Sequence, residues 1–467
     1  MSSVSHPSTV ASTTVTPTTV APRVLDTVPG DAARVVPARR THPLAATAVA
    51  LGLFAVARLT GIVVLAVVAR AVDKHPLALL GRSWDSPWYL HIAEHGYGRT
   101  MHFDSGRVFS DLAFFPVYPV LVRAVTAITG LSAGGAGLLV SWAGAAGAAC
   151  GIYAIGLRLR GRVVGTLLVL LWGLLPHSVV LSLAYSEPLL TAFAAWSLYA
   201  VLSGRWVWAG GLAALAGLSR PNGFAVAAAV LVAAAHEIVR RRPRQVPRGR
   251  PAGPRRPRTP GAVPRPGKTP AVLGPGTPRA VSRHGKTRSV PRPEKTPAVP
   301  RGLWAGAAIA PLGWGGYVLW VGMRTGNPLG GYFAVQHGWG SAFDLGRGSL
   351  RTVRTLAVGG GPVVYPMTIM IVAAAVLLFA LLLVERVPLP LLVYSGALLV
   401  VTLGGSGYFC SKPRFLLPAF PLLLPMACAL ARTARARPWH ATLVVTALAG
   451  LSYAYGAHLV VLSRTAL

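Results

Sequence analysis

The sequence predicts an all-α polytopic membrane protein, and three observations carry that expectation. Mean hydropathy is +0.55 over 467 residues, and only 12% of residues are charged. Several apolar runs reach about 18 residues or more, enough for a helix to cross a bilayer. The formal net charge of +33 is not spread along the chain: 18 of the 45 Lys and Arg lie between Arg240 and Arg301, among Pro and Gly, with Glu294 as the one acid. A globule with that charge would point to nucleic acid. Confined to one low-complexity stretch, the charge points instead to a topological anchor and to anionic membrane lipids, with no nucleic-acid partner.

Residues 1–43 are rich in Ser, Thr, Val and Pro and read as a disordered cytoplasmic tail. They lack the basic start of a signal peptide, and the apolar run from Leu44 to Ala71 is longer than a signal core. Arg34, Arg39 and Arg40 hold this end in the cytoplasm under the positive-inside rule. The organisation that follows is an N-terminal transmembrane catalytic half (44–238) with an outer loop over 72–133. A basic, Pro-rich cytoplasmic loop (239–302) cannot build a core, and a C-terminal transmembrane half covers 303–467.

About eleven spans are expected: 44–71, 134–157, 163–183, 188–203, 206–218, 224–238, 303–322, 362–384, 389–404, a tenth returning to Arg432, and 440–461. In the outer loop, Pro87 suits the first turn of a short helix and Gly96 its end, which predicts a helix over about 86–95. Val117–Thr129 carries Arg123 and opens on Pro116 and Pro119, and reads as an interfacial helix on the outer leaflet. As a span it would turn Arg158, Arg160 and Arg162 outward, against the positive-inside rule.

This topology leaves Lys74, Arg82, Arg351 and Arg354 in long outer loops, which runs modestly against the rule. Arg220, Lys412 and Arg414 fall in short outer turns, where it is more strongly disfavoured. Snorkelling explains any one of them. Three on the same side as Asp85 and Glu187 suit an anionic group such as a lipid phosphate. Cys150 and Cys428 lie inside apolar runs and Cys410 near the end of one, so no disulfide framework is implied.

The stretch Ser83–Pro119 holds Asp85, Glu94, Asp104 and Asp111, four of the twelve acids, among Trp84, Trp88, Tyr89 and Tyr97. Asp85 stands at the start of the short helix, whose positive end favours an ionised carboxylate by about 0.3–1 kcal/mol. The plain alternative is a helix cap worth about 1 kcal/mol, for which Ser86 competes. Glu94 falls at the other end, where it orients an acceptor, assists a metal or simply faces solvent. Glu187 opens span four at a positive helix end. Trp84, Trp88, Tyr89 and Tyr118 are candidates for stacking on a sugar or prenyl chain, against the alternative of interfacial belt anchors. His91 and His95 are four apart, but with His337 they make no metal-ligand set. No Walker loop or GxGxxG follows a strand, which argues against a nucleotide-sugar donor.

Five blocks in order, WDSPWYLHIAEHGY (84–97), AFFPVYP (113–119), LLPHSVVLSLAYSEP (174–188), GLSRPNG (217–223) and KPRFLLPAFP (412–421), resemble the PIG-V family. These are mannosyltransferases related to the enzyme that adds the second mannose of glycosylphosphatidylinositol, with bacterial relatives. The resemblance implies a GT-C type fold and an inverting mechanism with a polyprenyl-phosphate sugar donor. It also implies Asp85 as the catalytic position and extends the substrate-binding set to Asn222. The N-terminal tail and the Arg/Pro-rich loop depart from that family core. The expectation is a multi-pass cell-membrane enzyme that moves mannose to a glycolipid or lipoglycan acceptor at the outer face. No cofactor is assigned, and a divalent cation is left open. The alternative is a transporter or flippase of lipid-linked sugars.

Overall fold

The computed structural model describes residues 43–241, apart from Ser105, and residues 300–463. The expected tail and most of the basic loop lie outside the described residues.

The chain opens with α1 (Pro43–Ala71), followed by two short helices, α2 (Pro76–Arg82) and α3 (Ser86–His95). Helix α3 has Pro87 in its first turn and ends at Gly96 with φ 83°, a left-handed position that glycine takes without a Cβ clash. A hairpin then pairs β1 (Thr100–His102) with β2 (Val108–Ser110) in antiparallel register, Met101 opposite Phe109. This hairpin corrects the purely helical expectation for the loop: the alternation is too short to register beside the apolar runs. Helix α4 (Val117–Thr129) matches its expected bounds and ends at Gly130 in the left-handed region. Helices α5 (Ala133–Arg160), α6 (Arg162–Gly173), α7 (Glu187–Leu202), α8 (Trp206–Gly217) and α9 (Phe224–Arg241) complete the first half.

The second half runs α10 (Arg301–Ile309), α11 (Leu312–Arg324), α12 (Gly331–Gly338), α13 (Arg347–Gly359), α14 (Val364–Val384) and α15 (Leu389–Gly404). It closes with α16 (Lys412–Leu416), α17 (Leu424–Ala436) and α18 (Pro438–Ala457), the last continued by a π-helical turn to Leu462. Among the described residues, five helices are long and apolar enough to cross a membrane, or six if the bent pair Phe409–Leu416 and Phe420–Ala436 is one span. Helices α4, α6, α7, α8 and α15 are apolar but shorter, so helix length alone does not reach eleven spans.

Three expected spans are broken, each at proline. The run 163–183 stops as a helix at Gly173, and Pro176 leads into a separate 3-10 turn, Ser178–Ser182. The run 303–322 divides between α10 and α11 at Pro311. The tenth run bends by 77° between its two parts, with Pro418 in the break. Proline lacks the N–H that an inner helical turn donates, and its ring disfavours helical backbone in the residue before it.

The core is built around α5 and α7. A Cβ on Gly151 would stand 2.8 Å from Ala195 Cβ, and one on Gly144 would stand 3.0 Å from Leu189 N. Small residues here let α5 press onto the first turn of α7, and so set where Glu187 stands. Arg58 of α1 braces the break after α6. Its guanidinium donates to the Gly173 carbonyl at 3.1 Å and to Ser178 Oγ at 2.6 Å, and reaches Ser182 Oγ at 2.8 Å. A cation thus satisfies a carbonyl freed at a helix C-terminus.

Candidate acid–arginine site

Four charged side chains meet where the first loop, the start of α7, the turn before α9 and α16 converge. Arg414 Nη1 donates to Asp85 Oδ2 at 2.7 Å. Arg414 Nε lies 3.4 Å from Glu187 Oε1, and Arg220 Nη1 lies 2.8 Å from Glu187 Oε2. Glu187 is 1% exposed, and Arg220 and Arg414 are each 6% exposed. Two acids and two arginines balance in charge, the condition under which buried ions are tolerated.

Local structure explains each placement. Asp85 occupies the position before α3, yet its side chain makes no capping hydrogen bond; it turns to Arg414. Ser86 does not take the cap either, because its hydroxyl donates to the Ala184 carbonyl at 3.0 Å. The Asp85 backbone N–H donates to Tyr185 Oη at 3.1 Å. Glu187 opens α7 just ahead of Pro188, where the missing proline N–H costs nothing and the helix end favours negative charge. Arg220 also donates to Ser186 Oγ at 3.0 Å, and that hydroxyl meets Tyr89 Oη at 2.8 Å. Burial pushes the Tyr89 phenol up to about 12, partly offset by the Arg220 charge.

The network forms one wall of a cavity of about 270 Å³. Asp85, Tyr89, Arg220 and Arg414 line it, together with Trp84, Trp88, Phe109, Phe114 and Trp339. Phe109 and Trp339 stack at 4.3 Å, and Trp339 meets Trp88 edge-on at 5.0 Å. Trp339 Nε1 donates to the Ser110 carbonyl at 2.9 Å, which fixes the hairpin against α12. Asp111 ties the two strands at that same end of the hairpin: its Oδ2 accepts from the backbone of Gly98 and Arg99, each at 2.8 Å. Trp84 and Tyr408 line the same cavity with φ of 47° and 35°, left-handed backbone that is costly for bulky side chains.

The sequence-derived set divides here. Asp85, Trp84, Tyr89, Glu187, Arg220 and Arg414 are brought together. Glu94 is not: its side chain is 53% exposed, and Oε2 stands 3.9 Å from His95 Nδ1. Lys412 turns away, donating to the carbonyls of Thr402 and of Gly405, the latter at 2.8 Å, and so satisfies the end of α15. Tyr118 is wholly buried beneath the site, bonding the Gly137 carbonyl at 2.8 Å while its ring packs edge-on against Tyr89. Asn222 is buried in the turn Pro221–Gly223 and does not line the cavity.

Sequence reasoning missed Tyr185 and Trp339 as site residues. The signal for Tyr185 lay in its adjacency to Ser186 and Glu187; for Trp339 it lay in a loop far along the chain. His91 and His95 stack at 4.6 Å. Among the described residues, no group of three or more His, Cys, Asp or Glu is placed to hold a metal ion.

Chemically, the arrangement offers a carboxylate and two guanidinium groups at the edge of an aromatic-walled cavity. Asp85 Oδ2 is held by Arg414, and among the described residues no hydrogen bond is made to Oδ1. That oxygen keeps its capacity to accept a hydrogen bond. No family model, no curated protein and no solved structure matches this chain.

Proposed function

We propose that this chain is a membrane-embedded glycosyltransferase that moves mannose from a polyprenyl-phosphate donor to a glycolipid or lipoglycan acceptor. It acts at the outer face of the cell membrane by an inverting mechanism of GT-C type, with about eleven passes once the shorter apolar helices are counted. The observation that carries the reading is the Asp85–Arg414–Glu187–Arg220 network at the wall of an aromatic cavity. Asp85 takes the proton of the acceptor hydroxyl as the hydroxyl oxygen attacks the sugar's anomeric carbon, and the bond from that carbon to the phosphate oxygen breaks. Arg220 and Arg414 offset the charge developing on the departing phosphate, and fixed charges of this kind are commonly the largest catalytic contribution. The tryptophans give the sugar flat apolar faces to rest on.

The test is transfer of radiolabelled mannose from polyprenyl-phosphate mannose in membranes holding the wild-type chain or Asp85→Asn at equal expression. Transfer by the first and not the second supports the reading. Equal transfer by both removes Asp85 as the base.

A second reading, a transporter or flippase of lipid-linked sugars, is favoured by the helices broken at Pro176, Pro311 and Pro418, since broken helices recur at transporter binding sites. Movement of a fluorescent lipid-linked sugar across vesicles carrying Asp85→Asn, without sugar transfer by the wild type, would favour it.

A further inference from the structure

A separate cavity of about 290 Å³ lies against the other side of α16. Pro413, Leu416 and Leu417 line it, whereas Arg414 and Phe415 line the acid–arginine cavity. One short helix is therefore the partition between the two. The lining of the second cavity is apolar except for His177. Met367, Met370 and Met426, half of the chain's six methionines, contribute to it. Thioether side chains are unbranched and adaptable, and suit an apolar ligand without a rigid shape. Met370 is 60% exposed, so this cavity's α14 wall reaches the outside of the helix bundle.

His177 marks the polar end. It is 2% exposed, and neither ring nitrogen has a hydrogen-bond partner. Leaving such a group unpaired in the interior is unfavourable. Tyr455, edge-on at 5.3 Å, is 4% exposed with its hydroxyl also unpartnered. The cavity thus has an orphaned imidazole in an otherwise apolar lining, with Arg414 on the opposite side of α16.

Resting on the lipid-linked donor reading above, we propose that this cavity holds the isoprenoid chain of the donor. His177 hydrogen-bonds the oxygen that joins that chain to its phosphate, on the side of α16 opposite the one that presents Arg414 to the acid–arginine cavity. His177 is then a positioning residue: it sets the depth at which the lipid seats and so the place of the sugar relative to Asp85.

The probe is a sugar-free polyprenyl phosphate with a diazirine in its chain, photolysed in membranes that contain the full chain. Labelled peptides are mapped by mass spectrometry. Labelling is expected on the segments around Met370 and Leu416, displaced by plain polyprenyl phosphate and not by phosphatidylglycerol. His177→Leu keeps the bulk and is expected to raise the competitor concentration for half-displacement about tenfold, the scale of one lost hydrogen bond. Ala374→Trp, at an exposed position lining the cavity, tests the slot without disturbing the core and is expected to suppress labelling. Labelling scattered over other helices, equal displacement by phosphatidylglycerol, or labelling and displacement unchanged in both variants would overturn the proposal. Its failure is separable from failure of the enzyme reading. Asp85-dependent transfer with labelling elsewhere sinks only this site, and specific labelling here without any transfer sinks only the enzyme.

Discussion

Arg414 Nη1 meets Asp85 Oδ2 at 2.7 Å, joining residues 329 positions apart. Asp85→Asn removes the charge and keeps the shape, while Arg414 retains Glu187 as a partner. The expected outcome is a fall in mannosyl transfer of about 10²–10⁴-fold, the scale of a lost general base. The melting temperature of detergent-solubilised protein should move little. A large drop in melting temperature would make Asp85 structural instead.

Glu187→Gln acts differently, because Glu187 is buried against two arginines. Removing its charge leaves Arg220 without an acid and is expected to cost about 3–5 kcal/mol. The readout is thermal denaturation together with yield from membranes. Glu94→Gln is the contrast: at an exposed position it should stay within about 0.5 kcal/mol of wild type, with transfer unchanged.

Lys412→Met separates fold from chemistry. The ammonium satisfies carbonyls at the end of α15 and does not line the acid–arginine cavity. Loss of stability with KM for the donor unchanged is the expected pair of results. A raised KM at normal stability would return Lys412 to the phosphate.

Tyr89 carries a pH signature. Its folded value is raised to about 12 from an ordinary 10, chiefly by burial. Between those values the unfolded chain releases a proton that the folded chain keeps, so stability falls as pH rises through that window. Tyr89→Phe should flatten this part of the melting-temperature profile between about pH 10 and pH 12, the interval separating the ordinary phenol from the buried one.

Much of the fold was legible where local chemistry and hydropathy agree. Pro87 and Gly96 mark the ends of α3, and α4 and α15 fall where the apolar runs stop at glycine. The broken helices were less legible, although Pro176, Pro311 and Pro418 stand in plain view. Inside a run of leucine and alanine, hydropathy reads a span straight through a residue that interrupts only the hydrogen-bond ladder. The site follows the same division. Buried acids and arginines in a chain poor in charge stand out, and Asp85, Glu187, Arg220 and Arg414 do converge. Which way a side chain turns is set by tertiary contacts. Lys412 and Arg414 are two residues apart, yet one serves a helix end and the other serves the acids.

The network also has an order of assembly. Asp85, Glu187 and Arg220 precede residue 242, and Arg414 comes from the far side of the basic segment. While the chain is being synthesised, two carboxylates and one guanidinium wait with a net charge of −1 until the last part of the protein is inserted. Completion of the acid–arginine network therefore reports that both halves have come together, and a chain stopped short of α16 carries Asp85 without the cation that holds it.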